Sequence, residues 1–325
     1  MLNRISRFIG KHNLLQWERL QLVAVSGGAD SVALLLILKQ LGYRTEAVHC
    51  NFHLRGEESD RDENFVRQLC NNAGIKLHLM HFDTVTYANL HKVSIEMAAR
   101  ELRYRYFEQL RQDIGAENVC VAHHSDDAVE TFIMNMLRGT GIHGLTGIRP
   151  RNGHIVRPLL DVSRKDIEKF LDSIGQSYVI DSTNLDDNVV RNKIRLNFLP
   201  LLNTVNPSSA ESIYHTAKLI GEAEKVYNNA IESAKKRVIT EFLQTGSHTE
   251  RLSIDIPLLQ QEPSAESLLF EILSPYGFNS SIVSQIANCL DVEPGSVFYA
   301  EDYELVVDRN AIIMQREVAD LHPMV

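Results

Sequence analysis

The segment LVAVSGGADSVALLLIL, residues 22–38, constrains the fold more than any other part of the sequence. An apolar run of strand length passes through two consecutive glycines and enters an apolar run of helix length. A buried strand joined to a buried helix by so short a turn is typical of a parallel sheet, whose strands are covered on both faces. We therefore expect an α/β domain, with Gly27 and Gly28 in a strand-to-helix turn.

The same alternation of short apolar runs and helix-period segments continues to about Val179. The clearest strands are predicted at residues 22–26, 46–50, 77–82 and 118–123. Helices are predicted between and after them, at residues 31–42, 59–74, 94–110 and 125–139, several beginning at a serine suited to capping. This order predicts an α/β fold with a parallel, Rossmann-like sheet.

The pattern changes after NPSSAES, residues 206–212. A long helical stretch is predicted to end near Gly246, followed by helices at residues 266–273 and 280–290. Alternating segments at residues 296–300, 303–308 and 311–315 predict a small terminal sheet. We place the domain boundary so that residues 1–205 form the first domain and residues 206–325 form a linker helix and a smaller, mainly helical domain.

Composition restricts the protein class. The 325 residues are 44% hydrophobic and 23% charged, as in ordinary globular proteins, and the net charge of -9 argues against a protein coated in basic surface. Four widely spaced cysteines indicate a reducing compartment and disfavour zinc or iron–sulfur ligation. No signal-peptide core and no apolar run of membrane-spanning length occurs, so we expect a cytoplasmic protein without membrane attachment.

The turn SGGADS, residues 26–31, has the chemistry of a phosphate-binding loop. Its glycines permit close approach of a ligand, and its amides and the following helix start favour an anion. No lysine follows the glycines as it would in a loop that transfers the γ-phosphoryl group. Asp30 would repel phosphate unless a divalent cation lies between them. The competing interpretation is a tight turn that binds nothing.

This loop resembles the pyrophosphate-binding loop of the N-type ATP pyrophosphatase superfamily, whose members split ATP between the α and β phosphates and adenylate a substrate oxygen. Further segments are similar to the tRNA(Ile)-lysidine synthetase family: residues 49–66, 98–107, 122–148, 157–167 and 181–195. The resemblance is dense over residues 22–202. It implies a PP-loop ATP pyrophosphatase domain that ligates free L-lysine to the wobble cytidine of a CAU-anticodon tRNA(Ile), with ATP as substrate and Mg²⁺ as cofactor.

The resemblance also implies roles for individual residues. ATP would be bound by Ser26, Gly27, Gly28, Ala29, Asp30, Ser31 and Arg103. Catalysis would involve Asp30, Asp127, Glu130, His123 and Arg105, with Asp30 and Asp127 holding magnesium. Asp126 and Asp127 begin a predicted helix. The competing interpretation is that these acids only stabilise the helix dipole. Asp127, Glu130 and the two histidines, His123 and His124, all stay open as the group that takes a proton from the lysine amine.

Basic residues gather where a tRNA-binding surface is needed. Residues 138–195 contain ten Lys/Arg and seven Asp/Glu, a local balance of +3 that leaves -12 for the remainder. Arg191 and Arg195 lie four apart on one predicted helical face, a spacing suited to backbone phosphates or to a substrate carboxylate. We expect Arg138, Arg191 and Arg195 to contact tRNA or lysine.

Three other functions fit the loop less well. Sulfur transfer to tRNA needs reactive cysteines or an iron–sulfur cluster, and amidation fed by glutamine needs a glutaminase partner. A non-catalytic nucleotide sensor would not need Asp30, Asp127 and Glu130. Longer members of the resembled family carry a further C-terminal domain that grips the tRNA acceptor arm. Because the sequence ends at Val325, we expect a short or truncated form with an unaffected active site; a homodimer is compatible with the sequence.

Overall fold

The computed structural model describes residues 1–180, 190–245, 248–290 and 295–316. The chain divides into two compact units, one of residues Met1–Gly221 and one that begins at Glu222. Within the described residues, no helix is both long enough and apolar enough to cross a membrane.

The first unit alternates strands and helices, as the sequence predicts. Its elements in chain order are α1 (Leu2–Lys11), β1 (Gln21–Ala24), α2 (Ala29–Gln40), β2 (Thr45–Asn51), α3 (Glu57–Ala73), β3 (Leu77–His81), α4 (Thr84–His91), α5 (Ile95–Asp113), β4 (Asn118–Cys120), α6 (Ser125–Leu137), α7 (Ile142–Leu145), β5 (Arg151–Asn152), β6 (Ile155–Val156), α8 (Arg164–Ser173), α9 (Val190–Lys193), α10 (Leu199–Val205) and the start of α11 (Ser209–Val238). A π-helical turn, Ile194–Phe198, joins α9 to α10.

The sheet of this unit has the strand order β3-β2-β1-β4-β6-β5. All neighbouring pairs are parallel except β5 with β6, which form an antiparallel edge. Helix α2 is apolar all round, and Val32, Leu34, Leu35 and Leu38 are fully buried, which is the pattern of a helix packed within a core rather than on its surface. The α/β fold class is confirmed.

Serine side chains cap the starts of α5 and α8. The Ser94 hydroxyl accepts a hydrogen bond from Met97 N–H before α5, and the Ser163 hydroxyl accepts one from Asp166 N–H before α8. The α8 cap is reciprocal, since the Asp166 carboxylate accepts from Ser163 N–H. These caps fix where α5 and α8 begin, and the first turn of α8 reaches the candidate site.

The second unit contains a five-stranded antiparallel sheet. The end of α11 is followed by β7 (Ile239–Thr245), β8 (His248–Asp255), α12 (Ile256–Gln260), α13 (Ala265–Leu273), a 3₁₀ turn (Ser274–Tyr276), α14 (Ser280–Asn288), β9 (Ser296–Ala300), β10 (Tyr303–Val307) and β11 (Ala311–Arg316). The strand order is β7-β8-β11-β10-β9. One face of the sheet packs on the helices through Leu252, Ile254, Leu305 and Ile312.

Two details differ from the sequence prediction. The helical stretch expected to reach Gly246 ends at Val238, because residues 239–245 pair with β8 as a strand. The compact units divide within α11, whereas the domain boundary was placed before it, between residues 205 and 206. The boundary between residues 205 and 206 therefore stays a prediction of where the catalytic domain ends.

Candidate active site

The glycine loop lies at the carboxyl end of β1 and is held by a serine. Ser31 Oγ accepts hydrogen bonds from the backbone N–H groups of Ser26 (3.1 Å) and Gly27 (3.2 Å) and donates one to Gly28 O (2.9 Å). Gly27 has φ +99°, a conformation that L side chains rarely adopt. Its carbonyl accepts from Val179 N–H at 3.0 Å, so the segment after α8 closes one side of the loop.

A histidine brings two predicted carboxylates together. His124 caps α6 with an extended backbone (φ -121°, ψ -178°), and its N–H donates to Asp127 Oδ2 at 3.0 Å. His124 Nε2 lies 3.5 Å from Asp127 Oδ2 and 3.7 Å from Asp30 Oδ1. Asp30 from the loop and Asp127 from α6 therefore face one another across the buried His124 ring.

Arg164, the first residue of α8, makes the closest charge contact of Asp30. Its Nη1 lies 2.5 Å from Asp30 Oδ2, and its backbone N–H donates to Asp126 Oδ2 at 2.9 Å. Burial raises the pKa of Asp30 above its ordinary value, against the opposing effects of His124 and Arg164. The other oxygen, Asp30 Oδ1, is buried and has no hydrogen-bond partner among the residues that the structure describes.

Glu130 is held by arginines from the helical segment that follows residue 189. Its fully buried carboxylate accepts from Arg195 Nε at 2.7 Å and from Arg195 Nη2 at 3.1 Å, and Arg191 Nε lies 3.6 Å away. The two arginines thus share one face, as their spacing predicts. Burial raises the pKa of Glu130 although Arg195 opposes the shift. Arg195 Nη2 also lies 4.0 Å from Asp127 Oδ1, which links this pair to the loop cluster.

These groups line one cavity of about 610 Å³ at the carboxyl edge of the sheet. Its walls are Ser26, Gly28, Ala29, Asp30, His124, Asp126, Asp127, Glu130, Arg164, Val179, Ile180, Arg195, Leu196 and Leu199. A loop of backbone amides, carboxylates and guanidinium groups thus surrounds a space large enough for a nucleotide.

Comparison with known proteins identifies the family of this chain. A model of the PP-loop domain matches residues 2–202, and a model of the TilS substrate binding domain matches residues 247–317. The tRNA(Ile)-lysidine synthase of Bacteroides thetaiotaomicron is 51% identical over 96% of this chain and 71% of its own length. That of Parabacteroides distasonis is 48% identical over 95% of this chain and 69% of its own length. The chain belongs to the tRNA(Ile)-lysidine synthase family.

Among solved structures, the U34-tRNA thiolase NcsA from Methanococcus maripaludis has a TM-score of 0.55. It is 16% identical, and the match covers 68% of this chain and 78% of that one. At this identity the likeness shows the fold alone. It agrees with the parallel sheet of the first unit in this member of the tRNA(Ile)-lysidine synthase family.

Seven predicted residues of this tRNA(Ile)-lysidine synthase family member are not among the cavity walls. Gly27 and Ser31 belong to the loop itself and Arg191 lies beside Glu130, whereas His123, Arg103, Arg105 and Arg138 lie elsewhere. His123 Nδ1 lies 3.3 Å from Arg157 Nε, and burial lowers the pKa of His123 to about 4. Arg103 lies over the Phe52 ring, 5.0 Å from its centroid, while the Arg105 and Arg138 side chains are exposed. Their roles stay predictions.

The most important residue that sequence reasoning missed is Arg164, which was counted only among basic residues. Two features of the sequence could have pointed to Arg164. It follows the N-cap Ser163 directly, and it belongs to a segment that is similar to the tRNA(Ile)-lysidine synthase family. Nothing local to that segment indicates that its first side chain reaches Asp30, 134 positions away in the chain.

Proposed function

We propose that this chain catalyses ATP-dependent ligation of free L-lysine to C2 of the wobble cytidine of tRNA(Ile) with a CAU anticodon, producing lysidine, AMP and pyrophosphate. The observation that carries the proposal is that a glycine loop without a phosphate-binding lysine shares one cavity with Asp30, Asp127 and Glu130. Curated relatives named tRNA(Ile)-lysidine synthase support the substrate.

In the proposed reaction, ATP lies over residues 26–31. The C2 carbonyl oxygen of the cytidine attacks the α-phosphorus, and the bond to the leaving pyrophosphate breaks next to the loop. The loop amides and the start of α2 stabilise the negative charge of pyrophosphate. Ser31 Oγ acts mainly as the brace of the loop, because it already serves two N–H donors and one carbonyl.

Asp30 and Asp127 fit a magnesium ion by their chemistry. Both offer carboxylate oxygens, the ligand type that Mg²⁺ prefers, and within the described parts of the chain the buried Asp30 Oδ1 has no hydrogen-bond partner. Among the described residues, no group of three or more His, Cys, Asp or Glu side chains is arranged as a complete metal site. Two carboxylates are enough protein ligands for Mg²⁺, which keeps several waters and phosphate oxygens as its other ligands. When bound, Mg²⁺ would neutralise phosphate charge during adenylation.

The second step forms the bond between lysine and the base. The lysine side-chain nitrogen attacks C2, and AMP leaves with the electron pair of the C2–O bond. The lysine ammonium must first lose a proton, since its ordinary pKa is about 10.4. Glu130 is our choice of acceptor because it lines the cavity and burial raises its pKa above the ordinary value of a carboxyl group, which makes its carboxylate a stronger base. His123, with a pKa of about 4, is a weaker base.

Sulfur transfer on the same fold is disfavoured at two of the four cysteines, Cys50 and Cys70. Burial raises the pKa of Cys50 to about 12 and that of Cys70 to about 11, so both thiols are protonated at neutral pH. A persulfide carrier requires a thiolate. Free thiols and a tRNA substrate also fit the cytoplasm, where we propose that the enzyme works.

The test is an assay with ATP, lysine and a tRNA(Ile) transcript that carries the CAU anticodon. We expect AMP and pyrophosphate in equal amounts by chromatography, and a cytidine heavier by one lysine residue in the nucleoside digest. A transcript with a different first anticodon base is the control. ADP and orthophosphate as products, or an unmodified cytidine despite ATP turnover, would show that the proposed function is wrong.

A further inference from the structure

The glycine loop carries no lysine of its own, but α8 brings an arginine to it. Asp30 lies two positions after Gly28, in the first turn of α2, and Arg164 Nη1 lies 2.5 Å from its Oδ2. Arg164 also shares the cavity walls with Ser26 and Gly28 of the loop. A guanidinium group therefore borders the space that the phosphates of the proposed nucleotide would occupy.

The backbone of Arg164 is held more firmly than its side chain. Its N–H donates to Asp126 Oδ2 at 2.9 Å, and Ile167, one turn further along α8, is fully buried in the core. The guanidinium group is 38% exposed and pairs with two partly exposed carboxylates, those of Asp30 and Glu168. Because the arginine side chain is long and flexible, the group can change partners by rotation while α8 stays in place.

Among the described residues, the cavity walls carry a second arginine, Arg195, whose situation is different. It donates two hydrogen bonds to Glu130, whose side chain is 1% exposed, so its departure would strand a buried charge. Asp30 would not be stranded, because the divalent cation that the loop needs would replace Arg164 as its counter-charge. Its other oxygen, Oδ1, lies 3.7 Å from His124 Nε2 and has no hydrogen-bond partner in the described ranges.

We propose that Arg164 is an exchangeable counter-ion, which pairs with Asp30 before the nucleotide binds and moves to the β- and γ-phosphate oxygens of ATP when Mg²⁺ takes its place. This inference rests on the ATP-binding part of the proposed function. A guanidinium group and Mg²⁺ on one carboxylate repel each other. The oxygens of a pyrophosphate group match an arginine fork and carry more charge than a carboxylate that already binds a metal. The exchange keeps Asp30 compensated in both states and gives the loop the cation that its own segment lacks.

The test measures binding in the absence of tRNA, so it needs no turnover. Arg164→Gln removes the charge, and Arg164→Lys keeps the charge without the fork. Lys165→Gln is the matched control, because Lys165 is exposed in the same turn of α8 and is not among the cavity walls. Mn²⁺, which suits the same oxygen ligands as Mg²⁺, is titrated alone and the free ion is measured by EPR. Isothermal titration then compares ATP with AMP at saturating Mg²⁺.

Arg164→Gln should shift the two affinities in opposite directions. Without nucleotide, it should bind Mn²⁺ about three- to tenfold more tightly, because Asp30 loses a competing cation. With Mg²⁺, it should bind ATP about ten- to a hundredfold more weakly, the range expected for hydrogen bonds to charged groups. The affinity for AMP should stay close to that of Lys165→Gln, because AMP lacks the β- and γ-phosphates. Arg164→Lys should lie between wild type and Arg164→Gln in both measurements.

The outcomes separate this inference from the proposed function. A merely structural role of Arg164 would weaken the binding of Mn²⁺ and of ATP together, and that result would overturn the inference. Affinities equal to those of Lys165→Gln, or equal losses for ATP and AMP, would overturn it as well. If Arg164→Gln fails to fold, Arg164→Lys carries the same comparison. A wild-type chain that shows this arginine dependence but makes no lysidine would overturn the proposed function and leave the counter-ion exchange standing.

Discussion

Breaking the buried Glu130–Arg195 ion pair should make the free energy of unfolding of the first unit depend on pH. In Arg195→Gln, the Glu130 carboxylate, with 1% of its side chain exposed, loses both of its strong hydrogen bonds. Removing one partner of a buried ion pair costs about 3–5 kcal/mol. Since Arg195 itself is 38% exposed and Arg191 stays 3.6 Å from Glu130, we expect a smaller loss, about 2–3 kcal/mol at pH 8.

The sign of the pH dependence follows from the raised pKa of Glu130. A carboxyl group whose pKa is higher in the folded than in the unfolded state contributes stability that is present below the unfolded pKa and is lost as pH rises through the folded pKa. Without Arg195, burial raises that pKa further. At pH 5 the buried group can take up a proton, so the loss should shrink to about 1 kcal/mol.

Trp17 gives a probe confined to the first unit. It is the single tryptophan of the sequence and stacks on Tyr43 at 4.2 Å between ring centroids. Urea unfolding followed by its fluorescence, at pH 5 and pH 8, measures the difference between wild type and Arg195→Gln. The double variant Glu130→Gln/Arg195→Gln is the control, and it should lose the pH dependence. A loss in Arg195→Gln that is equal at both pH values would refute the reasoning.

Three further predictions concern the cavity and the residues beside it. Asp30→Asn and Asp127→Asn should each abolish lysidine formation while the Trp17 fluorescence of the folded state stays unchanged; retention of turnover within about tenfold, roughly 1.4 kcal/mol, would contradict the magnesium assignment. Gly27→Ala should destabilise the first unit by about 1–3 kcal/mol because of its φ of +99°, whereas Gly28→Ala, with φ -70° and ordinary contacts, should be close to neutral in thermal unfolding. Arg191→Gln should reduce the salt slope of tRNA binding by roughly one; an unchanged slope with a raised KM for lysine would place this residue in the amino-acid pocket.

The glycine loop and α6 could be predicted from sequence because their signals are local. A β-strand, a Gly-Gly turn and an apolar helix are adjacent in the chain, and the structure begins α2 at Ala29, immediately after Gly28. Asp126 and Asp127 likewise follow a strand and open a helix, so both were expected at the carboxyl edge. Sheet topology then brings the two segments together, because β1 pairs with β4.

The choice between His123 and His124 could not be made locally. The backbone is extended at this point, and successive side chains of an extended chain lie on opposite sides. One histidine therefore had to face Asp30 and the other had to face away, but which one depends on the twist and register of β4. The structure places His124 against the carboxylates and His123 against Arg157.

The hairpin of β7 and β8 was missed for a different reason. Residues 239–245, ITEFLQT, follow a 30-residue helix without a proline or glycine to mark its end. Lys235, Lys236 and Arg237 in its last turn do suit a helix C-terminus. The following Ile-Thr pair favours a strand, since both residues are β-branched, and pairing with β8 decides the outcome.

Charge balance explains why Arg164 lies where it does. Among the described residues, the cavity walls carry four acids, Asp30, Asp126, Asp127 and Glu130, and two arginines, Arg164 and Arg195. Without a ligand cation, Arg164 lowers the electrostatic cost of burying Asp30, as its 2.5 Å contact shows. A polyanionic triphosphate would meet net repulsion in this cavity unless a divalent cation entered with it. We therefore expect ATP affinity to depend steeply on Mg²⁺ in the wild type and less steeply in Asp30→Asn, because that variant removes one repelling charge together with one ligand.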